Sequence, residues 1–390
     1  MTYDIAIIGA GPSGICLARA LSGHGLNVLL MERQPEAALA EPAFDGREIA
    51  LTHSSQALLE QLDIWSRLDA QDIAILRDAK VFNGPSAFAL QINARQTGAD
   101  RLGHLVANHA IRRAAYQSLL AAADTELRCE AEVKIIKQQP DAIELTLANG
   151  DVLHTRLLVA ADSRFSETRR MLGIGAQLKD YGKSMLVCRM QHEEDHQQTA
   201  WEWFGYGQTL ALLPLNGRQS SVVVTLPPRQ IAQLQQMDEA QFAMEMAERF
   251  DHRLGRMQLI STRHAYPLVG AWARQMAGPR CALIGDAAVG MHPVTAHGFN
   301  FGLASVHRLS TLLLAAHARN QDLAAPALLE RYQRQQRLAT WPLYQATNLL
   351  VECYTSDKLP MRLLRNAGLR LAQQAQPLKR GIARHLTSHG

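Results

Sequence analysis

The chain has 390 residues, 47% of them apolar, and a net charge of +4. That is enough apolar material for a large buried core and two lobes, and it excludes disorder as the default state. No run of about 18 uninterrupted apolar residues occurs, which excludes a membrane-crossing helix as the expected reading. Met1 is followed almost at once by "YDIAIIGAG", a buried strand pattern, so no signal peptide is expected and the protein reads as cytoplasmic. Cys16, Cys129, Cys188, Cys281 and Cys353 are widely separated, with no C-x-x-C pair and no zinc spacing. They read as reduced thiols, and no metal site is expected. Charge is unevenly placed: 355–390 carries seven Lys/Arg and one acid, Asp357, a net of +6, so the rest of the chain sums to −2. No nucleic-acid motif accompanies that basic stretch.

In chain order, residues 5–8 form a first apolar strand, 12–23 a helix and 27–31 a second strand ending at Glu32. Gly9, Gly11 and Gly14 stand between strand and helix in G-x-G-x-x-G register. The first glycine permits the tight turn, the second lets backbone approach a pyrophosphate, and the third allows close helix–strand packing. The helix N-terminus offers free N–H groups and a positive dipole end, and an acid closing the second strand can bind ribose hydroxyls. "REIALTHSSQALLEQ" (47–61) reads as a loop arginine leading into a helix, and 73–106 as short strands and loops. A helix begins near Asn108 and carries Arg112; 126–159 alternate as strands with a hairpin turn at Asn149-Gly150. A buried strand then leads to Asp162 and a helix start at Ser166. Residues 176–226 return to strands, 230–250 are helical, a further strand pattern ends at Asp286, and from Asn300 onward the pattern is almost entirely helical. Trp201 and Trp203 alternate on a strand, which places both on one face; the Ile-Pro that should follow a halogenase Trp-x-Trp is absent.

Three separated motifs carry a family resemblance that spans nearly the whole chain: Gly9–Gly14 with Glu32, "ADSRFSETRR" with Asp162, Ser166 and Arg169, and "GDAAVGMHPVTAHGFN" at 285–300. Together they resemble the flavoprotein aromatic hydroxylases of the p-hydroxybenzoate hydroxylase fold, and among them the ubiquinone-biosynthesis ring hydroxylases. The pattern departs at Ser163, at Thr295-Ala296-His297 and at Ser305, where the family commonly has Gly, Ala-Gly-Gln and an acid. The resemblance implies an α/β fold: a Rossmann-like FAD-binding domain interrupted by a β-sheet substrate domain, with a helical C-terminal region. FAD-binding parts are expected at 1–72, 107–175 and 266–320, the substrate lobe at 73–106 and 176–265, and the helical region at 321–390.

It further implies a monooxygenase that reduces FAD with NAD(P)H, adds O2 at flavin C4a, and passes one oxygen from the hydroperoxide to an aromatic ring. The ring implied is a polyprenylated phenol or quinol of ubiquinone biosynthesis. Alternatives are a reductase of the same fold without oxygen insertion, or a non-enzymatic flavin-binding subunit of a biosynthetic complex. Cofactor contacts are implied for Gly9, Gly11, Gly14, Glu32, Arg33, Arg47, Arg112, Asp162, Asp286, Pro293, Gly298, Phe299 and Asn300. Asp286 would accept from a ribityl hydroxyl, and the helix start at Gly298–Asn300 would direct N–H groups at the flavin pyrimidine edge. Catalytic roles are implied for His297, as a proton-handling imidazole, and for Arg47, near flavin and substrate; His292 reads as structural. No second G-x-G-x-x-G unit is visible, so NAD(P)H is expected to dock transiently. Basic and apolar residues interleave in "LPMRLLRNAGLRLAQQA", so peripheral association with the inner membrane or a biosynthetic complex is a further expectation.

Overall fold

The computed structural model describes residues 2–355 apart from 85, 87, 123, 206 and 293–296. Pro293 and the basic stretch 356–390 therefore lie outside the described residues. The strands Thr2–Ile8, Val28–Met31 and Val152–Ala160 contain runs of Ile, Leu and Val with no polar alternation, which suits a parallel sheet covered on both faces. They pair in parallel, Ile5 opposite both Leu157 and Val28. Thr125–Arg128 and Cys281–Leu283 extend the parallel set at its two sides. Val133–Gln138 and Ile143–Leu147 add an antiparallel pair, and the hairpin expected at Asn149-Gly150 joins it to Val152–Ala160, with Gly150 at φ +90°. Helices Pro12–Leu21, Asn108–Leu119 and Gly298–His317 share one apolar core with this sheet.

The opening turn is fixed by contacts that admit no side chain. Gly9 has φ +106°, and a Cβ there would lie 2.7 Å from the Ala161 carbonyl oxygen. A Cβ on Gly14 would lie 1.9 Å from the Gly9 carbonyl oxygen. The turn is thus closed by backbone resting on backbone.

A second sheet of nine strands has Val289–Gly290 at one edge and Ala89–Asn93 at the other. Its centre is the long strand Ala176–His192, flanked by His264–Ala273 and Gln219–Leu226, and followed outward by Thr209–Pro214, Thr199–Phe204 and Asp78–Asn83. One face packs on the helices Pro228–Gln236 and Glu239–Arg249 through Leu186, Cys188, Val222, Phe242 and Met246. Trp201 and Trp203 both lie on that face; the Trp203 indole N–H donates to the Gly84 carbonyl at 2.8 Å, and Arg253 stacks over its ring. The tryptophan pair is therefore core, as alternation on one strand predicts.

Some boundaries differ from the sequence reading. Glu48–Leu51 is a strand, not loop, and forms a three-stranded sheet with Gly103–Ala107 and Ile73–Leu76. Only 78–83 and 89–93 of the 73–106 segment join the second sheet. The strand His264–Ala273 runs across the boundary placed at 265/266, because its pairing with Ala176–His192 continues from His264 to Ala273. The helical run at 230–250 is two helices, since the Asp238 carboxylate accepts from the Gln241 N–H at 2.8 Å and starts a second one. Helix Pro326–Thr355 docks through the buried Tyr332, whose hydroxyl donates to the Leu283 carbonyl at 2.7 Å. Among the described residues no helix is long and apolar enough to cross a membrane.

Gly14→Ala is expected to destabilise the fold by about 1–3 kcal/mol, because the backbone it meets cannot yield as a side chain would. Denaturant unfolding measures this; unchanged stability would mean that the helix does not rest on the loop as described.

Candidate active site

The glycine loop opens onto a cavity of about 1190 Å3 that runs on to the second sheet. Gly11 caps the helix Pro12–Leu21 without a side-chain partner, and Pro12 takes the first helical position, where a missing N–H costs nothing. The N–H groups of Gly11 and Ser13 meet no acceptor among the described residues. A Cβ on Gly11 would meet nothing within 4 Å, so the loop leaves an open cradle of donors on the cavity. Glu32 faces the same space. One of its carboxylate oxygens accepts from the Ala10 N–H at 2.9 Å and the other from the Gln34 N–H at 3.0 Å, which locks the acid beside the loop while leaving lone pairs for a hydroxyl. The exposed Arg33 follows it along the rim. Arg112, half-buried on helix Asn108–Leu119, lines the cavity with no acid partner among the described residues.

Asp286 lines the cavity where the first sheet gives way to the turn Gly285–Ala287. Its carboxylate accepts from Arg164 at 3.1 Å, and Arg164 also donates to the Val269 carbonyl at 3.0 Å, so the acid is oriented but still open to the cavity. Asp162 is a cavity residue too, but its oxygens already serve the adjoining loop: one accepts from the Ser166 hydroxyl and the other from the Thr168 N–H at 3.3 Å. Ser166 in turn caps the short helix Glu167–Met171 by accepting from the Arg169 N–H at 2.9 Å. The buried Arg169 guanidinium donates to the Ala287 carbonyl at 2.7 Å, tying this loop to the turn that carries Asp286. Of Asp162, Ser166 and Arg169 only Asp162 lines the cavity; Ser166 and Arg169 hold the loop in shape.

The helix Gly298–His317 enters beside the same turn. Cβ atoms on Gly285 or on Gly302 would each lie 2.7 Å from the Ser13 hydroxyl, so the three segments approach more closely than side chains permit. Ser305, at a position where an acid is common, accepts from the Gly285 N–H at 3.1 Å and donates to the Gly302 carbonyl at 2.6 Å. Gly298 and Phe299 line the cavity. Asn300 is tied elsewhere: its amide donates to the Ala50 carbonyl at 2.8 Å and accepts from the Thr52 N–H at 3.1 Å. Its side chain joins the helix start to the three-stranded sheet, and the contact expected of it is through its backbone N–H. His297 sits just before the helix, with its ring 6.0 Å from that of Phe301. His292 lines the cavity, with its ring against Tyr181. Burial, reinforced by Lys183 and Arg164, pushes its pKa down to about 4 and keeps it neutral.

Arg47 is exposed and lines the cavity beside the second sheet. Its guanidinium pairs with Asp45 at 2.6 Å and lies over the Tyr266 ring, whose hydroxyl donates to the Asp45 carbonyl at 2.7 Å. Its neighbour Glu48 is a residue the sequence reading passed over. The carboxylate is almost fully buried and pairs with Arg189 at 2.7 Å; burial outweighs the arginine and raises its pKa to about 7.

The second sheet supplies the opposite wall. Met185, Val187, Phe204, Ala211, Leu213 and Val223 all face the cavity, as period-two alternation requires when Leu186, Cys188, Leu210, Leu212, Val222 and Val224 face the core. Glu202 stands among the cavity residues, between Val81 and Ala211 on the neighbouring strands. It makes no hydrogen bond or ion pair among the described residues, and burial alone pushes its pKa up to about 8. Sequence reasoning missed it, although the signal was there: tryptophans at 201 and 203 facing the core send residue 202 to the other side.

The family described as "FAD binding domain" matches residues 2–347. Ubiquinone hydroxylase UbiM of Neisseria meningitidis is 45% identical over 388 residues, covering 98% of this chain and 84% of that protein. The 3-demethoxyubiquinol 3-hydroxylase of Escherichia coli is 31% identical over 378 residues, covering 97% and 96%. Among solved structures, p-nitrophenol 4-monooxygenase PnpA of Pseudomonas putida superposes with a TM-score of 0.78 at 17% identity, covering 98% and 97%, a likeness of fold. The fold and site thus define a flavoprotein aromatic hydroxylase. The chain belongs to the FAD-binding family that contains the ubiquinone hydroxylases, and it is an FAD-dependent monooxygenase with NAD(P)H as co-substrate.

The Glu202 carboxyl holds its proton to a higher pH in the folded chain than the ordinary 4.5, so its contribution to stability is present below about 4.5 and is lost as pH rises toward about 8. Glu202→Gln stays neutral throughout. In ligand-free protein the Tm of Glu202→Gln is expected to gain steadily on wild type between those limits in a thermal melt series; a constant offset would show an unperturbed acid.

Proposed function

We propose that this enzyme hydroxylates the ring of a prenylated phenol or quinol intermediate of ubiquinone biosynthesis. The observation that carries the reading is the single cavity with a cradle of backbone donors on one side and an apolar sheet wall on the other. A volume of about 1190 Å3 exceeds what one ligand of ordinary size fills, about 300–1,000 Å3, and suits a dinucleotide together with a substrate. The names of the relatives at 45% and 31% identity support the substrate class.

The cradle fits FAD. Gly11 and Ser13 would give their free N–H groups to the pyrophosphate, and the positive end of the helix would add to the attraction. Arg112 and Arg33 would offset its charge. Glu32 would accept from the adenosine ribose, and Asp286, oriented by Arg164, from the ribityl chain. The first turn of Gly298–His317 carries N–H groups without intrahelical acceptors and would set a positive end at the edge of the isoalloxazine. When bound, FAD accepts the reducing equivalents of NAD(P)H and activates O2 for insertion of one oxygen atom into the ring. The chain's own part is to orient the ring and exclude water. Phe204, Leu213, Val223 and Val187 form a dry wall for this, and Arg47, held by Asp45, closes the rim.

Purified protein is expected to bind FAD and to oxidise NAD(P)H faster in the presence of a prenylated phenol, with hydroxylated product detected by mass. Gly11→Ala, which fills the cradle without a clash in the protein, is expected to weaken FAD binding about tenfold or more while leaving the apoprotein melt unchanged. Glu32→Ala removes a hydroxyl acceptor and is expected to cost about 1.5–3 kcal/mol of FAD affinity by titration. Wild-type protein that takes up no FAD would overturn the reading.

A further inference from the structure

Of the residues on Thr199–Phe204, Thr209–Pro214 and Gln219–Leu226 that line the cavity, all are apolar or small hydroxyl residues except Glu202. An unpaired acid in such a place costs stability, as the raised proton affinity from burial records. Among the described residues nothing uses it: no cation faces it, no backbone N–H reaches it, and its cross-strand neighbours are Val81 and Ala211. The charged groups on the long central strand, Lys179, Asp180 and Lys183, line the cavity at a different stretch, beyond Met185 and Val187. A second polar atom on the same wall is also without a partner, the buried hydroxyl of Ser221. A costly group that serves no internal contact and opens onto a ligand space is a group for the ligand.

We propose that Glu202 binds the ring hydroxyl of an uncharged phenol or quinol, and that it thereby sets the enzyme's preference for neutral rings over aromatic carboxylates. The proposal rests on the hydroxylase reading for the class of substrate. A protonated carboxyl is suited to the task because it donates from its O–H to a ring oxygen and accepts from a phenol O–H at its carbonyl. The two bonds fix the ring against the wall, which otherwise offers only shape. A ring bearing a carboxylate would bring a second acid against Glu202 on a stretch of wall whose cross-strand neighbours are Val81 and Ala211, while Lys179 and Lys183 line the cavity beyond Met185 and Val187, and its charge would be buried there without a paired cation. The acid therefore selects by two effects, a paired hydroxyl for the right ligand and an unpaired charge for the wrong one.

The test uses the FAD-loaded full chain and two probes, geranylphenol and the same ring bearing a carboxylate, with binding followed by the flavin absorbance change and turnover by product mass. Wild type is expected to bind geranylphenol at least tenfold more tightly than the carboxylate probe. Glu202→Leu, apolar and of similar size, is expected to keep its FAD and to lose about tenfold in geranylphenol affinity. Glu202→Gln retains a donor and an acceptor and is expected to stay within about twofold of wild type. Geranylphenol binding that is equal in wild type and Glu202→Leu, or absent from wild type, overturns the proposal. Binding that depends on Glu202 without any hydroxylated product keeps the contact and overturns the hydroxylase reading instead.

Discussion

Three segments far apart in the chain meet around the Ser13 side chain, and the site depends on how closely they do so. Gly14 rests on the Gly9 carbonyl, and Gly285 and Gly302 both approach the Ser13 hydroxyl to a distance that no Cβ would tolerate. Ser305 then bonds Gly285 to Gly302 within this knot. The approach sets the register of everything that faces the cavity. It places the free N–H groups of the first helix start, the carboxylate of Asp286 and the start of Gly298–His317 around one space. A methyl group at any of these glycines would separate elements whose relative position is the cofactor site itself.

The second constraint is a division of labour between the two faces of one sheet. The face toward helices Pro228–Gln236 and Glu239–Arg249 packs Trp203, Leu212 and Val222 against Phe242, Met246 and Phe250 and provides the stability of the lobe. The cavity face takes smaller apolar residues and keeps room for a ligand. Along Thr199–Phe204 the division is sharp, with Trp201 and Trp203 in the core and Glu202 in the cavity. The central parallel strands of the first sheet have no such division, being largely buried on both faces, and so contribute through their ends and loops, where Gly9, Glu32 and Asp162 stand.

What was legible in the sequence was what local physics dictates. The glycine spacing, the acid at the end of the second strand, the helix start at Ser166 and the Asn-Gly hairpin each rest on a few neighbouring residues, and each stands where the sequence put it. What was not legible depends on partners far along the chain. Glu48–Leu51 is a strand only because Gly103–Ala107 lies beside it. The side chain of Asn300 bonds Ala50 and Thr52, some 250 residues earlier, which nothing in its own motif announces. Arg112 and Arg47 do face the cavity, and the sequence alone did not say that one is unpaired while the other is held by Asp45. Glu202 was hidden by its neighbours, since the two tryptophans drew attention to the wrong face of their strand.

A cavity that holds a flavin and a ring together would pass one atom of O2 to the ring. Turnover under isotopically labelled O2 in ordinary water, with the product analysed by mass, is the test. One labelled oxygen per product molecule is expected, formed in step with NAD(P)H oxidised. Product labelled from water, or NAD(P)H oxidised with no labelled ring, would contradict it.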